Sequence, residues 1–484
     1  MKQLVYFQPA RVFGNIGHAS NMPESRADEA ILAAGSVHFI GIAGTGMQAL
    51  AELMLARGIR VSGSDSRSST VLERLNEAGA RTFVGQAADQ VGDAEGVIIS
   101  AAVPSDNPEF QEARARGLPV VTHAQVLGAL SRRMRTIAVA GTHGKSTTTA
   151  LTAHIATECG LDPVVLGGAY SPNLGGSGRA GRGDVLVVEA DEFARRFLEL
   201  TPTIAIITNI EADHLDFYGS FEAVEAAFAD FAHRVAPDGS LLVCADVPMN
   251  PAIREDHRMQ AYGESDEAIW RTSDYRAEKS GIRFLLQTPD GQRLPVASQL
   301  RGRHNALNAT AAIAAACLIG VPAHAAVNAA ASFVGTQRRF QTVLCNDGLW
   351  IVDDYAHHPT EIRATLAAAR ESHAGRIWAV FQPHTSHRTH ALFDEFSMAF
   401  VEADEVLLLP IYHPTGREPE TVEVTSAGLA EAMHHPRSRS IDSMENIVRL
   451  LRTEARWGDL VLLMGAGDVT ELGPRLAQGL GTSR

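Results

Sequence analysis

Ala140-Gly141-Thr142-His143-Gly144-Lys145-Ser146-Thr147-Thr148-Thr149 follows the apolar run Thr136-Ile137-Ala138-Val139 and opens a helix-like segment over residues 150–157. A strand, a tight glycine loop, Lys-Ser and then a helix is the arrangement that cradles nucleotide phosphates. Backbone N–H groups and the positive helix end meet the anion, Lys145 adds a point charge, and the Ser146 hydroxyl can hold Mg²⁺. Val139 stands where the strict P-loop pattern has its first glycine, so the loop is a variant of that pattern. Gly141, Thr142, His143, Gly144, Lys145, Ser146 and Thr147 are the candidate nucleotide contacts.

Downstream, residues 185–188 form an apolar strand that delivers Glu189-Ala190-Asp191-Glu192. Residues 204–208 form another, delivering Asn209-Ile210-Glu211-Ala212-Asp213-His214. In an open α/β sheet ligands bind at strand C-termini, so Lys145/Ser146, Glu189/Asp191 and Asp213/His214 are expected on one rim. Hard oxygen ligands beside a P-loop suit Mg²⁺. Taken alone, His214 reads equally well as a histidine bonded to its own loop at a helix start.

Toward the N-terminus, Val37-His38-Phe39-Ile40 runs into Gly41-Ile42-Ala43-Gly44-Thr45-Gly46-Met47. An amphipathic helix over 48–57 and a strand over 59–63 follow, ending at Ser64-Asp65. This βαβ unit is close to the dinucleotide fingerprint, but its glycine spacing is GxxGxG. The loop alone leaves open an NAD-type site or another phosphate ligand. Strands at 97–101 and 120–121 extend a parallel sheet.

Toward the C-terminus, polar alternation over 254–301 reads as a small antiparallel excursion. Arg303-His304-Asn305 then starts a long alanine-rich helix to about residue 318. His304 and Asn305 fit either capping or contact with a base. After Gly335 a third α/β block places Asp353 to Glu361, Gln382 to Thr389 and Gly465 to Asp468 after apolar strands.

At 484 residues the chain implies two to four domains. A formal charge of −14 argues against a general nucleic-acid or anionic-membrane surface. Cys159, Cys244, Cys317 and Cys345 are far apart, which supports neither a disulfide framework nor a zinc knuckle and fits a reducing compartment. No apolar run reaches the roughly 18 residues of a membrane span. Residues 1–34 lack the apolar core of a secretory signal and read as a flexible tail. The expected location is cytoplasmic.

Taken together, HFIGIAGTGM from His38, GSD from Gly63, AGTHGKSTTT, EADE, TNIEADHLDFYGS, GRHNALNA, RRFQ, DDYAHHPTE, FQPH…RT and MGAGD resemble the Mur ligase family over residues 36–480. The resemblance implies three consecutive α/β domains after the tail. These are a Rossmann-like UDP-sugar domain (35–132), a central P-loop ATPase domain with a parallel sheet (133–334) and a Rossmann-like amino-acid domain (335–484). It implies ATP-dependent amide formation between the carboxylate of UDP-N-acetylmuramate and L-alanine, through an acyl phosphate, in peptidoglycan precursor synthesis. The oligomeric state is left open between monomer and homodimer.

Residue by residue, the resemblance assigns Gly44, Thr45, Gly46, Met47, Asp65 and Ser100 to the UDP-sugar. It gives Lys145, with Mg²⁺ on Ser146 and Glu189, to the phosphates, and His214 to a second Mg²⁺. His304, Asn305, Arg339 (with Arg338 beside it) and Asp354 contact the nucleotide. His357 or His358 serves the incoming amine, and Arg388 binds the amino-acid carboxylate. Departures from the family pattern fall at Ala43, Gln86, Ala194, Arg195, Thr385 and His387, and they bear mainly on substrate detail. A tripeptide-adding ligase and a non-catalytic UDP-sugar or nucleotide binder are the alternatives. The uninterrupted passage from Phe197 to Pro202 into the next strand favours the amino-acid-adding enzyme.

Overall fold

The computed structural model of the chain describes residues 24–345, 349–414 and 423–480. These divide into two compact units, one ending at Met134 and including 178–180, the other comprising the remainder from Arg135.

In the first unit five parallel strands, Ser36–Ile40, Arg60–Asp65, Arg81–Val84, Gly96–Ile99 and Val120–Thr122, lie in the order third, second, first, fourth, fifth. The central strand Ser36–Ile40 is buried at every position, as expected of a parallel strand covered on both faces. The order reverses between Ser36–Ile40 and Gly96–Ile99, which pair with Ile40 opposite Ile99. The glycine loop after Ile40 and Ser100 after Ile99 therefore meet at the switch point, where such sheets bind ligands.

The expectation of a flexible tail over 1–34 is corrected in its last third. Residues Glu24–Ala33 form a helix, with Ala27 and Ile31 buried one turn apart and Asp28 paired to Arg132. Residues 1–23 lie outside the described residues.

The second unit contains two sheets. Across the larger one run Arg293–Ser298, Gly281–Gln287 and Trp270–Glu278 as an antiparallel edge, then Met259–Gly263, Ser240–Cys244, Ile204–Ile207, Arg135–Ala140, Val185–Glu189 and Val164–Ser171. The P-loop strand lies between its two carboxylate-bearing neighbours, with Ala140 opposite Ile207 and Val139 opposite Glu189. That register places all three polar termini on one rim. The edge hairpins match the expected antiparallel excursion.

Helix Arg303–Leu318 packs against the P-loop helix Lys145–Glu158 and the sheet. It is buried on nearly every side from Ala306 to Ala316, so small side chains are what allow its neighbours to approach.

The smaller sheet has the order Gln341–Cys345, Leu349–Asp354, Asp459–Met464, Ile377–Phe381, Glu405–Leu408, Ser438–Ser440, with only the first strand antiparallel. Its fully buried Trp378 donates its indole N–H to Asp459 at 2.8 Å, so that donor is not left unpartnered. The adjacent strands Leu349–Asp354 and Ile377–Phe381 flank Asp459–Met464 and project loops 355–358 and 382–385. The four cysteines are free, and among the described residues no helix is long and apolar enough to cross a membrane.

Candidate active site

Gly141 and Gly144 are required by geometry. A Cβ on Gly141 would stand 1.9 Å from the Thr208 hydroxyl, and one on Gly144, at φ +83°, would stand 2.7 Å from Asn308 Oδ1. The loop is therefore clasped between the neighbouring strand end and the alanine-rich helix. Thr142 Oγ1 accepts from the Glu211 N–H at 2.8 Å, and the His143 N–H donates to Asn209 Oδ1 at 2.8 Å. Thr147 is buried at the start of the helix.

Lys145 Nζ donates to the carbonyls of Gly141 and Thr142 and to Glu192 Oε1, at 2.5, 3.2 and 2.9 Å. Burial opposes its charge, but the carboxylates of Glu192, Glu189 and Asp191 outweigh burial and raise its pKa. Glu192 is a site residue the sequence reading passed over, although it lies in the EADE motif. Ser146 Oγ donates to Glu189 Oε1 at 3.1 Å, and the Gly168 N–H holds Glu189 Oε2 at 2.8 Å. This is a pair of hard oxygen donors at the rim.

A cavity of about 220 Å³ opens beside the loop. His143, Gly144 and Thr147 form one wall, His304, Asn305 and Asn308 a second, and Arg339, Asp354 and Glu361 a third. His304 and Asn305 thus reach the cavity as well as starting their helix. Asn305 donates to the Arg301 carbonyl and accepts from Asn308, which fixes its amide. Burial, with Arg339 nearby, lowers the His304 pKa to about 4, so the ring is neutral near pH 7. Burial raises the Asp354 carboxyl to about 6 against the pull of Arg339. Its two oxygens accept the N–H groups of Phe340 and Ala356 at 2.7 and 2.8 Å. Arg338 does not join Arg339 at the cavity. Its guanidinium donates to the carbonyls of Gly465 and Gly467, which tie its left-handed backbone to the last strand's loop.

His143 and Glu361 link the P-loop to the third block. His143 Nδ1 is 3.3 Å from Glu361 Oε1, and its Nε2 is 3.5 Å from Glu211 Oε2. Burial disfavours the imidazolium, but Glu361 and Glu211 raise its pKa to about 9. Arg339 donates to the same Glu361 oxygen at 3.2 Å. Despite burial, His357 and His143 hold the Glu361 carboxyl well below its ordinary range.

The two adjacent histidines of the third block separate. His358 caps helix Pro359–Ser372 and packs against the His143 ring at 4.7 Å, and burial with His143 nearby lowers its pKa to about 4. The His357 ring lies instead 6.0 Å from that of His384.

His384 belongs to a second cavity of about 100 Å³, lined also by Asp213, His214, His387 and Arg388. Arg388 Nη2 donates to Asp213 Oδ1 at 2.7 Å. Burial opposes the Asp213 charge, but Arg388 and His214 lower its pKa well below the carboxylate range. His214 has a left-handed backbone (φ 55°), takes the Asp213 carboxylate on its own N–H at 2.7 Å and packs its ring on Phe193. Burial lowers its pKa. Thr385, at φ 62°, accepts the Arg388 N–H on its hydroxyl.

In the first unit Gly41 (φ +82°) turns the chain beside Ser100, and Asp65 accepts the Ala43 N–H at 3.1 Å. Gly44 precedes helix Thr45–Ala56, Met47 is buried, and a Cβ on Gly46 would strike the His123 ring at 2.9 Å. Ala43 itself avoids the left-handed region, so its methyl is accommodated. Gln86 accepts from Asn107 at 2.7 Å.

Comparison with known proteins matches residues 36–135 to the Mur ligase family catalytic domain, 139–316 to the Mur ligase middle domain and 338–467 to the Mur ligase glutamate ligase domain. The UDP-N-acetylmuramate–L-alanine ligase of Thermobifida fusca is 42% identical, over 92% of this chain and 97% of that protein. Its counterpart in Symbiobacterium thermophilum is 43% identical, over 93% and 95%. Among solved structures, the UDP-N-acetylmuramate-alanine ligase of Thermotoga maritima is 27% identical with a TM-score of 0.77, covering 93% of this chain and all of that one. A murein peptide ligase of Psychrobacter arcticus is 26% identical with a TM-score of 0.67, over 93% and 99%. Three successive family domains along a chain whose strand rims gather a P-loop, its carboxylates and a third-block arginine are sufficient: the chain belongs to the Mur ligase family.

Proposed function

We propose that the protein joins the carboxylate of UDP-N-acetylmuramate to the amino group of L-alanine with hydrolysis of ATP to ADP and phosphate, as a soluble cytoplasmic step of peptidoglycan precursor synthesis. The observation that carries this reading is the convergence of P-loop residues with Arg339, Asp354 and Glu361 on one cavity. Relatives about 42% identical over nearly their whole length, named for this activity, support it.

A carboxylate is a poor electrophile, so it attacks the γ-phosphorus of ATP first, giving an acyl phosphate and ADP. Two anions must meet, and Lys145 and Arg339 supply fixed positive charge at the nucleotide. Ser146 and Glu189, as hard oxygen donors on the rim, fit Mg²⁺, and His214 is proposed as the ligand of a second ion. Bound there, Mg²⁺ would neutralise charge developing on the phosphoryl oxygens. His304 and Asn305 receive the base and Asp354 the ribose. Arg388 orients the amino-acid carboxylate, in exchange for its pairing with Asp213. Gly44, Thr45, Gly46, Met47, Asp65 and Ser100 hold the UDP-sugar at the switch point of the first sheet.

The test is phosphate release by purified protein with ATP, Mg²⁺ and UDP-N-acetylmuramate, comparing L-alanine, other amino acids and a muramyl tripeptide as acceptors. Release dependent on L-alanine, with the UDP-muramyl-alanine product seen by mass, is the expected result. Release with tripeptide alone would replace the reading by a tripeptide-adding one, and none with any acceptor would replace it by a binding role.

A further inference from the structure

The reaction needs the amino acid as a free amine, yet near neutral pH its nitrogen carries an extra proton. His357 and His358 are both imidazoles in the loop before helix Pro359–Ser372, and their surroundings separate them. His358 is turned to the P-loop: its Nδ1 accepts from the Thr360 N–H at 3.4 Å, and its ring packs at a tilt against that of His143. His357 lies on the other side, its ring 6.0 Å from that of His384, which lines the second cavity.

The neighbours of His357 decide its protonation pattern. Nδ1 lies 3.0 Å from the Tyr355 carbonyl oxygen and 3.1 Å from Glu361 Oε2. Both are acceptors, so Nδ1 carries the hydrogen, and the lone pair of the neutral ring is on Nε2. Glu361 is held in turn. Oε2 also accepts the His357 backbone N–H at 3.0 Å, while Oε1 faces Arg339 and His143. A buried carboxylate fixed by three cationic or N–H groups and aimed at the Nδ1 of a histidine is the orienting arrangement that makes the opposite nitrogen a proton acceptor.

We propose that Glu361 is a positioning residue that holds His357 as its Nδ1–H tautomer, so that His357 Nε2 takes the proton from the incoming amino group. The inference rests on the amide-forming reading above. In the step, one ammonium proton passes to Nε2. The freed nitrogen lone pair attacks the acyl-phosphate carbon, and the C–O bond to phosphorus breaks. Phosphate leaves with that electron pair and takes up the second nitrogen proton as the amide forms. Besides Glu361, the titratable and charged groups facing His357 are Tyr355, His384 and, from the loop after Ile204–Ile207, Asp213. Because Glu361 also touches His143 and Arg339, it spans the nucleotide and amine sites in one side chain.

The experiment separates the two half-reactions. Acyl-phosphate formation is followed, without amino acid, by positional isotope exchange in ATP with UDP-N-acetylmuramate and Mg²⁺. Amide formation is followed as L-alanine-dependent phosphate release from pH 6 to 10. Glu361→Gln, His357→Asn and the double variant are compared, with folding checked by thermal melting. We expect kcat/KM for L-alanine to fall by about 100-fold, the scale of general-base removal, and by a distinctly larger factor than isotope exchange in each variant. The loss should be largest at low pH, and the double variant no worse than either single one. Histidine-selective ¹⁵N spectra should show a protonated Nδ1 for His357 that becomes a tautomer mixture in Glu361→Gln.

Isotope exchange falling in parallel with amide formation would overturn the proposal and assign Glu361 to the nucleotide through His143 and Arg339. Unchanged alanine kinetics in His357→Asn would overturn the acceptor role. Wild-type protein that exchanges isotope but shows no alanine-dependent release would overturn the amide-forming reading itself, and with it that role. The ¹⁵N spectra would still decide whether Glu361 sets the tautomer.

Discussion

The Lys145 ammonium stands 2.9 Å from one carboxylate oxygen of Glu192 and 2.8 Å from the other. The cation expected to meet the phosphates is therefore already paired, inside the protein, with an anion that a nucleotide must displace or rearrange. Tyr218 donates to the Glu192 carbonyl, and Arg195, left-handed at φ 57°, donates its N–H to the same oxygen. The partner's backbone is thereby anchored.

Lys145→Ala should abolish turnover, by 10³-fold or more on the scale of lost charge stabilisation. UDP-sugar affinity should stay near wild type, because the site proposed for it is built on the first unit. Calorimetric titration with UDP-N-acetylmuramate checks this, and a folded variant that has lost sugar binding would contradict the division of labour. Glu192→Gln should lower the apparent dissociation constant for ATP several-fold and lower the melting temperature, since it removes a competitor while unpairing a buried cation. Weaker ATP binding in that variant would mean the carboxylate assists the nucleotide.

His143 makes stability depend on alkaline pH. Its pKa in the folded chain, about 9, lies above the ordinary 6.5 because of Glu361 and Glu211. Its contribution is therefore fully present below pH 6.5 and is lost as pH rises through 9. Wild type should exceed His143→Asn in unfolding free energy by on the order of 2 kcal/mol at pH 6.5, and the gap should close by pH 10. Denaturant melts at both values measure it, and a constant gap would remove the imidazolium from the account.

Arg388→Ala should raise the KM for L-alanine by about 10-fold or more while moving that for ATP little, because in its proposed role it makes a charge-assisted contact to the substrate carboxylate, worth about 1.5–3 kcal/mol. Steady-state kinetics with each substrate varied decide the matter. Equal effects on both would take Arg388 out of the amino-acid site.

Gly144→Ala combines a left-handed backbone with a Cβ 2.7 Å from Asn308 Oδ1. Nucleotide affinity and melting temperature should both fall, the strain alone costing about 1–2 kcal/mol. Adding Asn308→Ala should restore part of the loss, since it relieves the contact and leaves the dihedral cost. Full restoration would show that the backbone there tolerates a side chain without penalty.

Much of this arrangement is legible along the chain. The P-loop, the strands ending at Glu189 and Asp213, and the third-block loops each announce themselves by an apolar run followed by polar residues, and parallel-sheet topology puts their ends together. What the chain hides is which charges pair. Arg388 with Asp213, His143 with Glu361 and Lys145 with Glu192 join residues distant in sequence, and no local period records such pairings. Arg338 and Arg339 are indistinguishable as neighbours. Only the left-handed backbone at Arg338 and the carbonyls of Gly465 and Gly467 turn one away from the larger cavity. The helix at Glu24–Ala33 did leave a trace, Ala27 and Ile31 one turn apart, but two apolar positions among charged ones are a weak signal.

The larger cavity, proposed to take the nucleotide, draws its walls from Gly144, His304 and Glu361, more than two hundred residues apart from first to last. No contiguous fragment ending before residue 335 possesses it. A truncated chain would keep the phosphate loop and lose the chamber. Fluorescent nucleotide affinity then becomes a gauge of the integrity of the C-terminal third, and it would register faults there, far from the P-loop, before any catalytic assay was run.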